Sequence, residues 1–420
     1  MRFFFVLLLV AIALGPARLA AGVGVLDRAV PKDAPVTSGA SLLGLRQWLS
    51  HADANQTKDI PPSPLTQAEA DTALHLLWSH WRTHQAPLRA AEMRDNVITM
   101  GDQKMRLLIR VFGTAPAGGR SLWISMHGGG GTPASVNDQQ WMNQIRLYQP
   151  AEGIYIAPRA PTDHWNLWHE NHIDDLFDRL IEDCVLCKGV NPDKVYLMGY
   201  SAGGNGVYQL APRLADRFAA VSMMAGHPGN ASPLGLRNLP FAIFVGAEDS
   251  DYQRNTIAAE WGGKLDALAK QDPQGYPHRL NFYPGLGHWM NGKDAEAVPW
   301  MAKFTRNPWP KKVVWCQSDR LHDRFYWLAL PDGVARPGLT IRASVEGNRI
   351  NLDAPDVTRI TLRLHDRLVN LDQEIQVRIN GKLVFAGKVS RQADAILKSL
   401  QQRADSDSAA TALLEVSAKR

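Results

Sequence analysis

From about residue 96 to residue 305, short apolar runs alternate with longer stretches of helical period. The runs are Ser121–Met126, Ile154–Ala157, Lys194–Met198, Ala219–Met224, Phe241–Val245 and Leu280–Tyr283. Continuous apolar runs of this length read as strands buried on both faces. The stretches Asn137–Tyr148, Ile173–Lys188, Ala202–Ala215, Tyr252–Lys270 and Ala295–Phe304 read as helices between them. The alternation predicts an α/β fold: a mostly parallel sheet with helices on both faces and right-handed crossovers. Asn96–Met100 and Lys104–Phe112 flank Gly101-Asp102, which predicts a hairpin adding antiparallel strands at one edge.

Different patterns border this region. Residues 22–90 form an N-terminal irregular and helical segment, with prolines early and a helix from Thr66. There Glu69 completes a capping box, and Leu74, Leu77, Trp78 and Trp81 form the apolar stripe. His80 and His84 lie four apart on it and read as packed or solvated side chains, since no carboxylate stands at a matching spacing. After Asn307-Pro308-Trp309-Pro310 the period becomes two, at Thr340–Val345, Ile360–Leu364 and Ile375–Ile379, and Asn380-Gly381 is a strong hairpin signal. Residues 309–420 therefore read as a small antiparallel β domain behind a catalytic unit at 91–308, closed by a helix near Ala393–Arg403 and a strand at Leu413–Val416.

The first 21 residues combine a basic start at Arg2, an apolar centre from Phe3 to Gly15 and small residues at Ala20-Ala21. This is the pattern of a secretory signal segment, and the apolar run is shorter than the ~20 residues of a membrane span. Export to the periplasm or the exterior is expected, with no stable membrane span after processing. The net charge is +5, and without Arg2 and Arg18 the basic excess falls to 3. No basic stripe suits nucleic acid. Cys184 and Cys187 close a helix, the end at which a thiolate is disfavoured, so they read as structural and open to a local disulfide.

The chemistry gathers at four places. Gly199-Tyr200-Ser201-Ala202-Gly203 follows an apolar strand and opens a helix, the context in which such a pentapeptide exposes a serine Oγ above a sheet. A hydroxyl needs a base, and Gly285-Leu286-Gly287-His288 offers one just after a later strand. The base needs a carboxylate; the loop after Phe241–Val245 offers Asp249, with Asp251 and then Glu248 behind it. His127-Gly128-Gly129-Gly130-Gly131 follows the third strand, where the Gly128 or Gly129 amide and that of Ala202 form a candidate oxyanion hole. A phosphate loop is disfavoured because Thr132-Pro133 stands where Lys-Ser/Thr is required.

In this order, Ser201, Asp249 and His288 with the His127–Gly130 loop resemble the α/β-hydrolase superfamily. The likeness is to exported esterases similar to polyhydroxybutyrate depolymerases, feruloyl esterases and the phospholipase/carboxylesterase group. It covers roughly residues 96–305. The dienelactone-hydrolase branch is less similar, because its nucleophile is Cys. The resemblance implies an exported serine hydrolase of small or polymer-linked carboxylic esters that needs no cofactor and no metal. A prolyl-oligopeptidase-like peptidase and a non-catalytic carbohydrate-binding protein are the alternatives; the first usually carries a propeller, for which the chain before the sheet is too short. Trp165 and Trp168 in the loop after Pro158, and Tyr252 after the acid, are candidate substrate-pocket residues. His164, His169 and His172 share that loop without a fixed metal-ligand spacing.

Overall fold

A computed structural model describes residues 40–51, 60 and 63–418. The expected signal segment and much of the irregular stretch behind it lie outside the described residues.

Helix α1 (Ala40–His51) precedes α2 (Gln67–Asp95), which is 29 residues long. The capping box starts α2: Thr66 Oγ1 accepts from the Glu69 amide at 3.3 Å, and Glu69 Oε2 accepts from the Thr66 amide at 2.9 Å. Asn96 in the left-handed region ends it. Of the anticipated stripe, Leu77 is fully buried together with Ala70 and Ala73, while Leu74, Trp78 and Trp81 cover the edge of that cluster. The His80 and His84 rings pack 4.2 Å apart.

The central sheet contains β1 (Val97–Met100), β2 (Gln103–Phe112), β3 (Arg120–Met126), β4 (Gly153–Pro158), β5 (Val190–Tyr200), β6 (Ala220–Met224), β7 (Phe241–Gly246) and β8 (His278–Tyr283). Their order is β1-β2-β4-β3-β5-β6-β7-β8. The pairs β1–β2 and β2–β4 are antiparallel and the remaining pairs parallel. Strands β4, β6 and β7 are buried along their whole length, as their largely apolar sequences require, with Ser222 the one hydroxyl among them apart from Tyr155. The flanking helices are α3 (Ala134–Leu147), α4 (Ile173–Lys188), α5 (Ala202–Arg213), α6 (Arg254–Gln271) and the short α7 (Ala297–Met301). Two helices start later than the sequence suggests. Tyr252 and Gln253 both have positive φ, so α6 begins at Arg254. Residues Lys293–Glu296 form a 3₁₀ turn before α7.

The Cys184 and Cys187 thiols are free, so the local disulfide does not form. Their side chains diverge: Cys184 is in the central core, while the Cys187 Sγ reaches the Ala86 carbonyl of α2.

The C-terminal region holds two sheets. One joins β9 (Lys312–Cys316), β12 (Thr340–Glu346), β13 (Arg349–Asp353), β15 (Ile375–Ile379) and β16 (Lys382–Gly387). The other joins β10 (Arg324–Phe325), β11 (Leu328–Ala329), β14 (Arg359–Leu364) and β17 (Ala412–Ser417). Pairing is antiparallel except between β13 and β15, which run parallel. Asn380 (φ 49°) and Gly381 (φ 79°) turn the β15–β16 hairpin as the sequence predicts. Helix α8 (Ala393–Gln402) packs against α2, with Ile396 and Leu400 beside Leu77 in one cluster. Phe325, Tyr326 and Trp327 are all buried and offer no aromatic surface to a polysaccharide. Tyr326 instead faces the catalytic layer: its amide donates to Asp216 Oδ2 and its hydroxyl to the Ala215 carbonyl. Among the described residues no helix is long and apolar enough to cross a membrane.

Candidate active site

Strand β5 enters α5 through a single residue, Ser201, at φ 57° and ψ −117°. A side chain rarely tolerates this conformation, and the neighbouring glycines make it sterically attainable. A Cβ on Gly199 would lie 2.2 Å from the Gly203 carbonyl oxygen, and one on Gly203 would lie 2.2 Å from that of Met126. The Ser201 amide is held by the Met224 carbonyl of β6 at 2.9 Å. The hydroxyl thus stands at the carboxyl edge of the sheet, beside the N-terminus of α5.

The loop after β7 supplies Asp249, buried at 2% exposure. The loop after β8 supplies His288. The two loops approach closely at Gly246, where a Cβ would lie 2.1 Å from the Gly287 carbonyl oxygen. The Glu248 amide donates to the Leu286 carbonyl between them at 2.9 Å. Within this frame His288 Nε2 lies 3.0 Å from Ser201 Oγ, and His288 Nδ1 lies 2.9 Å from Asp249 Oδ2. Asp251 and Glu248, the other carboxylates considered, are exposed and do not meet the imidazole.

The fold is that of an α/β-hydrolase.

No protein-family profile matches the sequence, and no curated protein is similar to it. Among solved structures the chain is similar to a thermostable esterase, with a TM-score of 0.40 and 15% identity over 50% of this chain and 62% of that one. It is also similar to a feruloyl esterase module from Clostridium thermocellum complexed with sinapinate, with a TM-score of 0.36 and 15% identity over 50% of this chain and 86% of the module. For the enterobactin and salmochelin hydrolase IroE the TM-score is 0.33, with 17% identity over 48% of this chain and 90% of that one.

The glycine loop after β3 lies over the elbow. A Cβ on Gly128 would come 3.3 Å from the Ser201 Cβ, and Gly129 has φ 99°. Among the described residues the amides of Gly128, Gly129 and Ala202 have no protein acceptor. The loop is shaped from below by Asn137 of α3, fully buried: its Oδ1 accepts from the Gly130 amide at 2.9 Å and its Nδ2 donates to Asp163 Oδ1 at 2.8 Å. His127 fixes the other side. Its Nδ1–H donates to the Gly128 carbonyl at 2.6 Å, and Nε2 accepts from the Ala160 amide at 3.2 Å. Burial pushes this imidazole down to about 4, so it is neutral and its tautomer is set by the two contacts.

The candidate pocket residues separate. Trp168 is not at the mouth: it is fully buried, and its indole N–H donates to the His127 carbonyl at 2.8 Å. The apolar sequence around it, Leu167 and Ile173, marks this part of the loop as core. Trp165 is 70% exposed and stacks edge-on with His169. It lines a cleft of about 640 Å³ with His169, His172, Asn205, Gln209 and His227. Asn205 is one helical turn along α5 from Ser201, and its amide donates to the Ser201 carbonyl. Tyr252 is exposed outside this cleft, under the Arg254 guanidinium at 4.8 Å. His164 pairs with Glu170 at 2.6 Å, and among the described residues no group of His, Cys, Asp or Glu is placed to hold a metal.

Two residues take roles that the sequence did not assign to them. Tyr200, which sequence reading treats only as the variable position beside Ser201, donates its hydroxyl to the His288 carbonyl at 2.7 Å and accepts from the Met290 amide at 3.1 Å. Arg254 Nη1 donates to Asp249 Oδ1 at 3.2 Å, on the oxygen that His288 leaves free. The alternation of sides along β5 would have predicted an inward Tyr200, but not its partner 88 residues on.

Proposed function

We propose that the chain is an exported serine hydrolase that cleaves carboxylic esters through an acyl-enzyme. The observation that carries this reading is the continuous hydrogen-bonded line Ser201–His288–Asp249, with each member on a separate loop at one sheet edge. In this mechanism Ser201 Oγ attacks the ester carbonyl carbon while its proton passes to His288 Nε2. Asp249 keeps the Nδ1–H tautomer and stabilises the imidazolium. The amides of Ala202 and of Gly128 or Gly129 donate to the developing oxyanion, each worth about 2.7–4 kcal/mol in the transition state. Collapse expels the alcohol, which takes the proton from His288. Water then attacks the acyl-enzyme with His288 again as base, releasing the acid and Ser201.

The cleft beside α5 favours a polar ester. Its walls carry asparagine, glutamine and histidine side chains and the Glu170 and Asp319 carboxylates, with Trp165 as the aromatic surface and no long apolar wall for an extended acyl chain. Burial holds the His169, His172 and His227 imidazoles below the ordinary value, so they meet substrate as neutral hydrogen-bonding groups. Export rests on the pattern of the first 21 residues.

The test is turnover on a panel of soluble esters running from acetyl to palmitoyl and including acetylated sugars. Short and hydroxylated esters are expected to turn over fastest. A steady rise of kcat/KM with acyl length would overturn the polar-ester reading, and no turnover of any ester would overturn the assignment to ester hydrolysis.

A further inference from the structure

Five arginines gather where the C-terminal sheets meet the catalytic layer, four of them buried and Arg403 half-buried, and they fall into two kinds. Arg217, Arg306 and Arg403 each pair with a carboxylate: Arg217 with Asp178 at 2.6 Å, Arg306 with Asp193 at 2.6 Å and with Asp405 at 2.8 Å, and Arg403 with Asp216 at 2.5 Å. Arg324 of β10 and Arg363 of β14 have no carboxylate within 4 Å among the described residues, although they are only 5% and 3% exposed. Arg324 reaches Ser408, at 3.3 Å to its carbonyl and 3.1 Å to its hydroxyl. Arg363 reaches the same carbonyl at 3.4 Å, the Ser399 hydroxyl at 3.1 Å and Gln402 Oε1 at 2.7 Å. The two guanidiniums therefore converge on one neutral acceptor. Arg324 Nε and Nη1 and Arg363 Nε are buried without an acceptor.

A guanidinium does not escape this situation by losing its proton, which it holds throughout the range in which proteins are folded. Burial and the positive charge of Arg363 and Arg403 push Arg324 in that direction; the Asp216 and Asp405 carboxylates oppose the shift, but neither is within hydrogen-bond distance of it. An unpaired buried charge is among the costliest features a fold can carry. Neutral acceptors satisfy single N–H groups but not the charge. Asp216 Oδ1 also accepts no hydrogen bond, although Arg324 acts on that carboxylate from a distance, and its other oxygen is committed to Arg403 and the Tyr326 amide.

We propose that Arg324 and Arg363 form a binding site for a small inorganic anion of the size of chloride, built into the junction between the C-terminal sheets and the catalytic layer. The anion accepts from the unpartnered guanidinium nitrogens and places a negative charge in contact with them, where Asp216 and Asp405 act only from a distance. Its position, beside the Ser406–Ser408 turn and the end of α8, makes it a fastener of that junction. It plays no part in the chemistry at Ser201.

The test uses the full chain. Thermal unfolding is measured at fixed ionic strength as sodium chloride replaces sodium gluconate. A saturable rise in Tm with chloride is expected, and the variants Arg324→Met and Arg363→Met should lack it. Identical melting in the two salts, the result of a water bridging Arg324 to Asp216, would overturn the proposal. So would a chloride response that survives in both variants. Should the variants not fold, crystals of the unaltered protein grown in sodium bromide decide the matter. An anomalous peak in contact with the Arg324 guanidinium supports the site, and its absence there overturns it.

Discussion

One oxygen of Asp249 accepts from His288 and the other from Arg254, so the carboxylate is held at both ends. Its exchange for an amide would keep the shape and reverse the donor at His288 Nδ1. Asp249→Asn is therefore expected to lower kcat by about 10⁴ with little change in fold, measured by ester turnover beside circular dichroism. Asp251→Asn should be nearly silent, since that side chain is exposed. Tyr200 acts one step further back by pinning the His288 backbone. Tyr200→Phe removes that hydrogen bond and the one accepted from the Met290 amide, about 1 kcal/mol each, and should lower kcat about five- to thirtyfold while leaving the fold intact. His127 predicts a pH effect on stability. Its folded-state value is depressed from 6.5 to about 4, so the unfolded chain binds the proton more readily. Stability from this group is fully present above about 6.5 and is lost as pH falls through about 4, amounting to ~3 kcal/mol. Urea unfolding at pH 7 and pH 4.5 should show the decline, with His127→Asn less sensitive to acid over that range. The sequence marked Ser201, Asp249 and His288, because each stands at a strand end within a glycine-bearing turn. It did not mark Tyr200 or Asn137, whose roles depend on which loop lies opposite them.

The sheet strands were legible because burial on both faces leaves little besides apolar residues in β4, β6 and β7. Element ends were less so. Helix α6 starts late because two consecutive left-handed residues intervene, a backbone choice that Tyr252 and Gln253 do not advertise. Trp168 was misplaced at the mouth for a related reason: a loop at the carboxyl edge supplies both pocket wall and core, and only the indole contact to the His127 carbonyl tells which. The elbow itself is the element under tightest constraint. Gly203→Ala would put a methyl group 2.2 Å from the Met126 carbonyl oxygen. That overlap with backbone should cost at least ~3 kcal/mol in denaturant unfolding and displace Ser201 as well.

At the scale of the molecule, the period-two pattern after residue 308 suggested a small domain of its own. The structure adds how firmly that region is attached. Arg306 is paired with Asp193 and Asp405, Arg403 with Asp216, and Tyr326 with Ala215 and Asp216, while α8 closes the apolar face of α2. These partners lie up to 187 residues apart in sequence, which is why no local pattern foretold them. Removal of residues 309–420 would leave Asp216 and Arg217 short of partners and uncover the Leu77 cluster. The truncated chain is expected to be insoluble or to melt far below the full chain, as read by expression and thermal unfolding. A soluble fragment with undiminished ester turnover would show that the junction is dispensable.

Ser201 is proposed as the nucleophile of a serine hydrolase. The most direct test is intact and peptide mass spectrometry of the full chain after treatment with a fluorophosphonate. A single phosphonyl adduct on Ser201 is predicted, its formation parallel to the loss of ester turnover, with no adduct on folded Ser201→Ala. An active protein that is labelled at another residue, or that keeps its turnover in Ser201→Ala, would show that Ser201 is not the nucleophile.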